Sequence, residues 1–204
     1  MLTEIYGRHW ILSTTVDYFS LTLHFALMSR SDATKSSLLH QARLQFWAKG
    51  FSNVSLRQIA AAAGVDVALV GRYFGSKVGF FEATMEELPA YELRKMPSAT
   101  ALIDEMVESF VSAERENPMP SVVTFLLANM NDEEVGEMVR VNFIENWHGP
   151  LTELLGDAGK AAQFTAALLG FSIAEKSLKL QGIAHYQGDE YKTQLRGFLQ
   201  KSLD

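Results

Sequence analysis

The chain has 204 residues, of which 48% are hydrophobic and 21% charged. That composition excludes a wholly disordered chain, and the length allows a buried core without covalent staples. The absence of cysteine excludes a disulfide framework, thiolate zinc sites and thiol catalysis. Five histidines include no H-x-x-x-H pair, so no metal site and no cofactor is expected. Five prolines and few β-branched runs favour an all-α chain. The net charge of −6 excludes a uniformly basic coat, but its distribution is uneven. Residues 31–80 carry Lys35, Arg43, Lys49, Arg57, Arg72 and Lys77 against Asp32 and Asp66, net +4. Residues 81–204 carry a net −10. A small basic block joined to a large acidic one is expected where one part meets an anion and the other does not.

Residues 1–30 form an appendage of uncertain role. The stretch from Trp10 to Met28 is the most apolar in the chain. Asp17 near its middle counts against a membrane span, and no basic leader or small-x-small cleavage pattern marks a signal peptide. Ser20 to Leu27 alternates like a strand, with no second strand to pair it. A packed element or a non-native start, with Met28 as the alternative start, remain open readings.

Residues 31–95 read as a domain of short helices. From Ser37 the residues Leu38, Leu39, Ala42, Phe46 and Trp47 form one helical stripe, ended by Gly50. Ser55-Leu56-Arg57-Gln58 is a capping box opening a helix to Ala63, with Leu56, Ile59, Ala60 and Ala63 inward. Gly64-Val65-Asp66 forms a turn, and Asp66 caps a two-turn helix over Val67–Phe74. Gly75 ends that helix, and Ser76 caps the next one from Lys77. Two short capped helices around a glycine turn, inside the basic block, form a helix-turn-helix pattern over about 55–74. A purely structural helical corner is the alternative.

The string that runs from Ala42 to Phe46, through Gly50-Phe51, Val54 to Ala60, Ala63-Gly64-Val65 and Arg72 to Lys77, to Phe80-Phe81 resembles the DNA-binding domain of the TetR family of bacterial regulators. The resemblance covers residues 38–84 without gaps. It implies an all-helical homodimer with a small DNA-binding domain and a larger ligand-binding and dimerisation domain. By position it implies DNA contacts from Ser55, Arg57, Val67, Ala68, Leu69, Arg72, Tyr73 and Lys77. Ser55, Tyr73 and Lys77 would meet phosphates, Arg57 a phosphate or base edge, and Arg72 a base edge or a phosphate. Phe74, Ile59, Val65 and Val70 are expected in the core. Two positions depart from the family's pattern: Gly71 stands where an aromatic residue is common, and Asp66 where Ser or Thr is usual.

Residues 96–204 read as a helical ligand-binding and dimerisation domain. Helical stripes run from Leu102 to about Arg115 and from Val122 to Met130, with Asn117-Pro118-Met119-Pro120 as a break. Asn131 to Glu134 caps a helix to Trp147, which His148-Gly149-Pro150 kinks or ends. An alanine-rich helix follows over Asp157–Gly182, then a last one over about Asp189–Leu203. The small-residue face with Ala167, Gly170 and Ala174 suits a two-fold interface, although an intramolecular core stays open for each residue. Phe125, Met130, Phe143, Trp147, His148 and Phe171 are candidates for an effector pocket, with plain core the competing reading. No catalytic motif occurs, so no enzyme activity is expected. The expectation is a cytoplasmic, ligand-responsive repressor that binds a palindromic operator as a homodimer, with no membrane role. The alternative is a helical small-molecule-binding module without a regulatory DNA role.

Overall fold

The computed structural model describes residues 30–86, 88, 93–116, 120–183 and 188–203. The readings placed on residues 1–29 and on the break at 117–119 lie outside them. All regular structure among the described residues is helical, as the composition suggested. None of these helices is long and apolar enough to cross a membrane. The chain divides into two compact units, residues 1–90 with 119–135, and residues 91–118 with 136–204.

In the first unit, α1 (Arg30–Lys49) begins seven residues before Ser37. Residues 30–36 lack an apolar stripe, but Asp32 in the first turn favours the helix dipole there. Leu38, Ala42, Phe46 and Trp47 are buried, as their spacing implies. Next come α2 (Leu56–Ala62), α3 (Ala68–Phe74), α4 (Lys77–Met85) and α6 (Val122–Asn129). The core is aromatic. Phe46 meets Phe51, Phe80 and Phe81 at centroid distances of 5.8, 6.0 and 5.5 Å. Trp47 and Phe81 meet Phe125 of α6 at 5.2 and 5.8 Å. Such edge and offset contacts add to the burial of the rings themselves.

The grouping differs here from a boundary at residue 96, because α6 packs on α1 and belongs to this unit. Asn129 is fully buried. Its Oδ1 accepts from the Phe51 N–H at 2.8 Å, and its Nδ2 donates to the carbonyls of Phe46 and Phe125 at 3.1 and 2.9 Å. Asp132 accepts from the Ser52 hydroxyl and N–H and from the N–H groups of Glu134 and Val135. Gly50 completes this join. Its φ is +86°, and a Cβ there would lie 2.6 Å from the Ala128 carbonyl oxygen.

The second unit holds α5 (Ala99–Glu116), α7 (Gly136–Phe143), α8 (Gly149–Leu155), α9 (Ala158–Ser172) and α10 (Gly188–Lys201). Its core includes Leu102, Met106, Leu151, Phe164, Leu195 and Leu199. Lys192 and Arg196 of α10 pair with Glu108 and Asp104 of α5. His148-Gly149-Pro150 does not stop the helix. A π-helical turn, Ile144–His148, carries it on, and the Gly149 N–H reaches the Ile144 carbonyl. The wider turn accommodates a proline that brings no N–H and would crowd the carbonyl four residues back. The alanine-rich helix ends early. After a π turn at Ile173–Ser177, Lys179 adopts φ +50° and the Leu180 N–H closes on the Ala174 carbonyl at 2.9 Å.

Candidate nucleic-acid interface

Local chemistry shapes α2, the turn and α3. The Ser55 hydroxyl accepts from the Gln58 N–H at 3.2 Å, while the Ser55 N–H donates to Gln58 Oε1 at 2.8 Å, completing the capping box. The turn then closes through the Val65 N–H on the Ala60 carbonyl at 3.0 Å, with Gly64 at φ +69°. A side chain at that left-handed position would be strained. Asp66 Oδ1 accepts from the Ala68 N–H at 2.7 Å, which neutralises an orphan donor at the start of α3. At the other end of α3, the Ser76 hydroxyl accepts from the Gly79 N–H at 3.0 Å and starts α4. A Cβ at Gly79 would lie 2.5 Å from the Phe74 carbonyl oxygen, so α3 and α4 meet more closely than any other residue allows.

Val70 and Ile59 are buried; Val65 and Phe74 are half-buried, with Phe74 stacked on Phe80 at 4.3 Å. Their burial leaves a defined outer surface. Ser55, Arg57, Val67, Ala68, Gly71 and Arg72 are exposed on it, while Leu69 is half-buried. Two of the anticipated contacts have partners within the chain. The Tyr73 hydroxyl accepts from the Ser31 hydroxyl at 3.2 Å. Lys77 Nζ lies 4.1 Å from the centre of the Phe51 ring, a cation–π arrangement that holds the ammonium beside the turn. Lys35 Nζ lies 5.7 Å from the Phe74 ring centre and adds another positive charge near α3. Lys35 counts in the sequence only toward the basic block, and nothing in the spacing of Ser31 or Lys35 connects α1 with α3.

Residues 38–84 match the family of bacterial regulatory proteins designated tetR. Over these residues the chain is similar to the TetR family's DNA-binding domain. Its fold agrees: NalD of Pseudomonas aeruginosa, described as the secondary repressor of the MexAB-OprM multidrug efflux pump, superposes with a TM-score of 0.65 at 20% identity. That likeness covers 84% of this chain and 97% of NalD. Among curated proteins, the transcriptional regulatory protein RaaS of Mycobacterium tuberculosis is 31% identical over 121 residues. The alignment covers 58% of this chain and only 56% of RaaS. The transcriptional regulator BetI of Vibrio parahaemolyticus is 27% identical over 173 residues, which are 76% of this chain and 84% of BetI. The TetR-type helix-turn-helix is therefore both matched in sequence and formed in structure.

The residues anticipated for an effector pocket fall in both units. Phe125 and Met130 belong to the first, where Phe125 fills the aromatic core. Phe143, Trp147, His148 and Phe171 belong to the second. Phe143 and Trp147 have ring centres 6.5 Å apart, and Trp147 Nε1 donates to Thr165 Oγ1 at 2.9 Å. Phe171 sits among Phe110, Tyr191 and Phe198. On α9, Gly170 is exposed and Ala167 half-buried; Ala174, also half-buried, lies beyond α9 in the π turn Ile173–Ser177.

Proposed function

We propose that this chain is a TetR-family, cytoplasmic, dimeric transcriptional regulator that represses from a palindromic operator and is released by a small molecule. The observation that carries the reading is the doubly capped helix-turn-helix, with Arg57 and Arg72 exposed in the chain's only basic block. The printed descriptions of RaaS and BetI as transcriptional regulators support it. Ser55, Arg57, Val67, Ala68, Leu69, Arg72, Tyr73 and Lys77 are the proposed DNA-facing residues. A dimer presents two α3 helices about 34–36 Å apart, one turn of duplex. An effector held among the helices of the second unit, near Phe143, Trp147, His148 and Phe171, releases DNA only by binding better to a state with another separation. The test is selection of genomic fragments by the purified full chain, followed by affinity measured against salt. The expected result is a palindromic site whose affinity falls steeply with salt. Failure to enrich any sequence would overturn the reading.

A further inference from the structure

The base-reading surface of α3 is unusual in its chemistry. Adenine is read by a carboxamide, guanine by a cation and cytosine by a carboxylate, whereas thymine also offers a C5-methyl group to apolar side chains. Val67, at the N-cap of α3, and Ala68 and Gly71 on it are exposed, with Gly71 four and three residues beyond the other two, and no carboxamide stands among them. Val67 is 37% exposed, a branched apolar side chain at the tip of the helix-turn-helix. The Asp66 carboxylate accepts from the Ala68 N–H, and the Tyr73 hydroxyl accepts from Ser31. A Cβ at Gly71 would meet nothing within 4 Å, so no neighbouring chain covers this strip. Arg57 and Arg72 flank it with positive charge, which matches a polyanion and not an apolar protein surface.

We infer that Val67 and Ala68 read thymine methyl groups in the major groove, and that each half-site is a thymine-containing sequence in which Arg72 is the one cation of α3 that serves direct base readout. This rests on the DNA-binding reading above and adds the base class that it recognises. Gly71 contributes by bringing no side chain, which lets the helix backbone approach the methyl groups.

The experiment uses the duplex selected from a random pool by the full chain. Thymines of each half-site are replaced singly by uracil, which removes the methyl and leaves the base pairing unchanged. At the contacted positions affinity is expected to fall about fourfold per methyl, the worth of one buried carbon. Val67→Ala should weaken binding to the thymine duplex severalfold and bind the uracil duplex no worse than the unaltered chain does. Its exposure means that the variant retains the fold, checked by circular dichroism. Equal affinity for thymine and uracil duplexes with sequence selectivity intact would overturn this inference and leave the regulator reading standing. Absence of any selective binding would overturn both.

Discussion

Asn129 is the polar residue on which the join between α1, the Gly50-Phe51 turn and α6 depends. Asn129→Ala deletes one acceptor and two donors from a fully buried position. The losses are unequal. The Phe46 carbonyl keeps the Gly50 N–H at 3.0 Å, and the Phe125 carbonyl keeps its place in the helix ladder. The Phe51 N–H loses the carboxamide oxygen in a setting that water does not reach. One stranded buried donor costs about 1–3 kcal/mol, and the void left by the carboxamide adds about 1 kcal/mol. The expected loss is therefore about 2–4 kcal/mol, read from urea unfolding by circular dichroism. Asn129→Asp is the sharper variant. It keeps the acceptor for Phe51 but turns an oxygen toward two carbonyls, at the positions where Nδ2 now donates at 3.1 and 2.9 Å. Burial and those carbonyls would raise the pKa of the new carboxyl above its unfolded value. Its folded state is then favoured at low pH and loses stability as pH rises through the raised pKa. The variant should recover relative to the parent on acidification from pH 7, and Asn129→Ala should not. A loss below about 1 kcal/mol for the alanine variant, or pH-independent damage by the aspartate, would refute the reasoning.

Asp132 gives a second pH signature. Burial alone would raise its pKa, but the Ser52 hydroxyl and the N–H groups of Glu134, Val135 and Ser52 outweigh this and leave it below the ordinary carboxylate value. Its contribution is present above its unfolded pKa, about 3.9, and is lost as pH falls through the lower folded value. The stability gap between parent and Asp132→Ala should hold from pH 7 to 5 and close below about pH 4; a gap indifferent to pH would exclude this role. Two glycines of the helix-turn-helix region should respond oppositely to alanine. Gly79→Ala meets the Phe74 carbonyl and should lose about 1–3 kcal/mol, whereas Gly71→Ala meets nothing and should gain about 0.5–1 kcal/mol from helix propensity, both read by thermal melts.

The helix-turn-helix was legible because its determinants are local. Ser55 and Gln58 lie three residues apart, Asp66 caps two residues on, and Gly64 marks a left-handed turn, so each signal acts within one turn of chain. The join through Asn129 was not legible, since its partners Phe46 and Phe51 lie some eighty residues away and an Asn ending an apolar helix reads as a cap. Asp132 shows the same limit. It stands where a first-turn acid is expected, yet it also holds Ser52, eighty residues earlier in the chain. Gly149-Pro150 was misleading for a different reason: a proline forbids a regular α-turn but tolerates a wider one, and nothing in the local sequence distinguishes a break from a π turn.

We propose that the exposed face of α9 carries assembly and not folding. Ala161, Phe164, Thr165, Leu168 and Phe171 turn into the second core, while Ala162, Ala166 and Gly170, at four-residue intervals, are exposed. Ala167 packs partly against that core, so a charge there would injure the fold itself. Gly170 is different, because a Cβ meets nothing within 4 Å. In a monomer Gly170→Glu therefore projects into water and replaces the poorer helix former, so the melting temperature should hold or rise slightly. In a dimer packed on this face, the two-fold axis duplicates the change and places two carboxylates in one apolar patch without a partner. Phe198 on α10, 45% exposed and 5.6 Å from the Phe171 ring, extends the same apolar character. Sedimentation of Gly170→Glu and Ala166→Glu should thus show monomers with undiminished helical signal, and affinity for a two-half-site duplex should collapse toward that for a single half-site. Intact dimers from both variants would move the interface to another face.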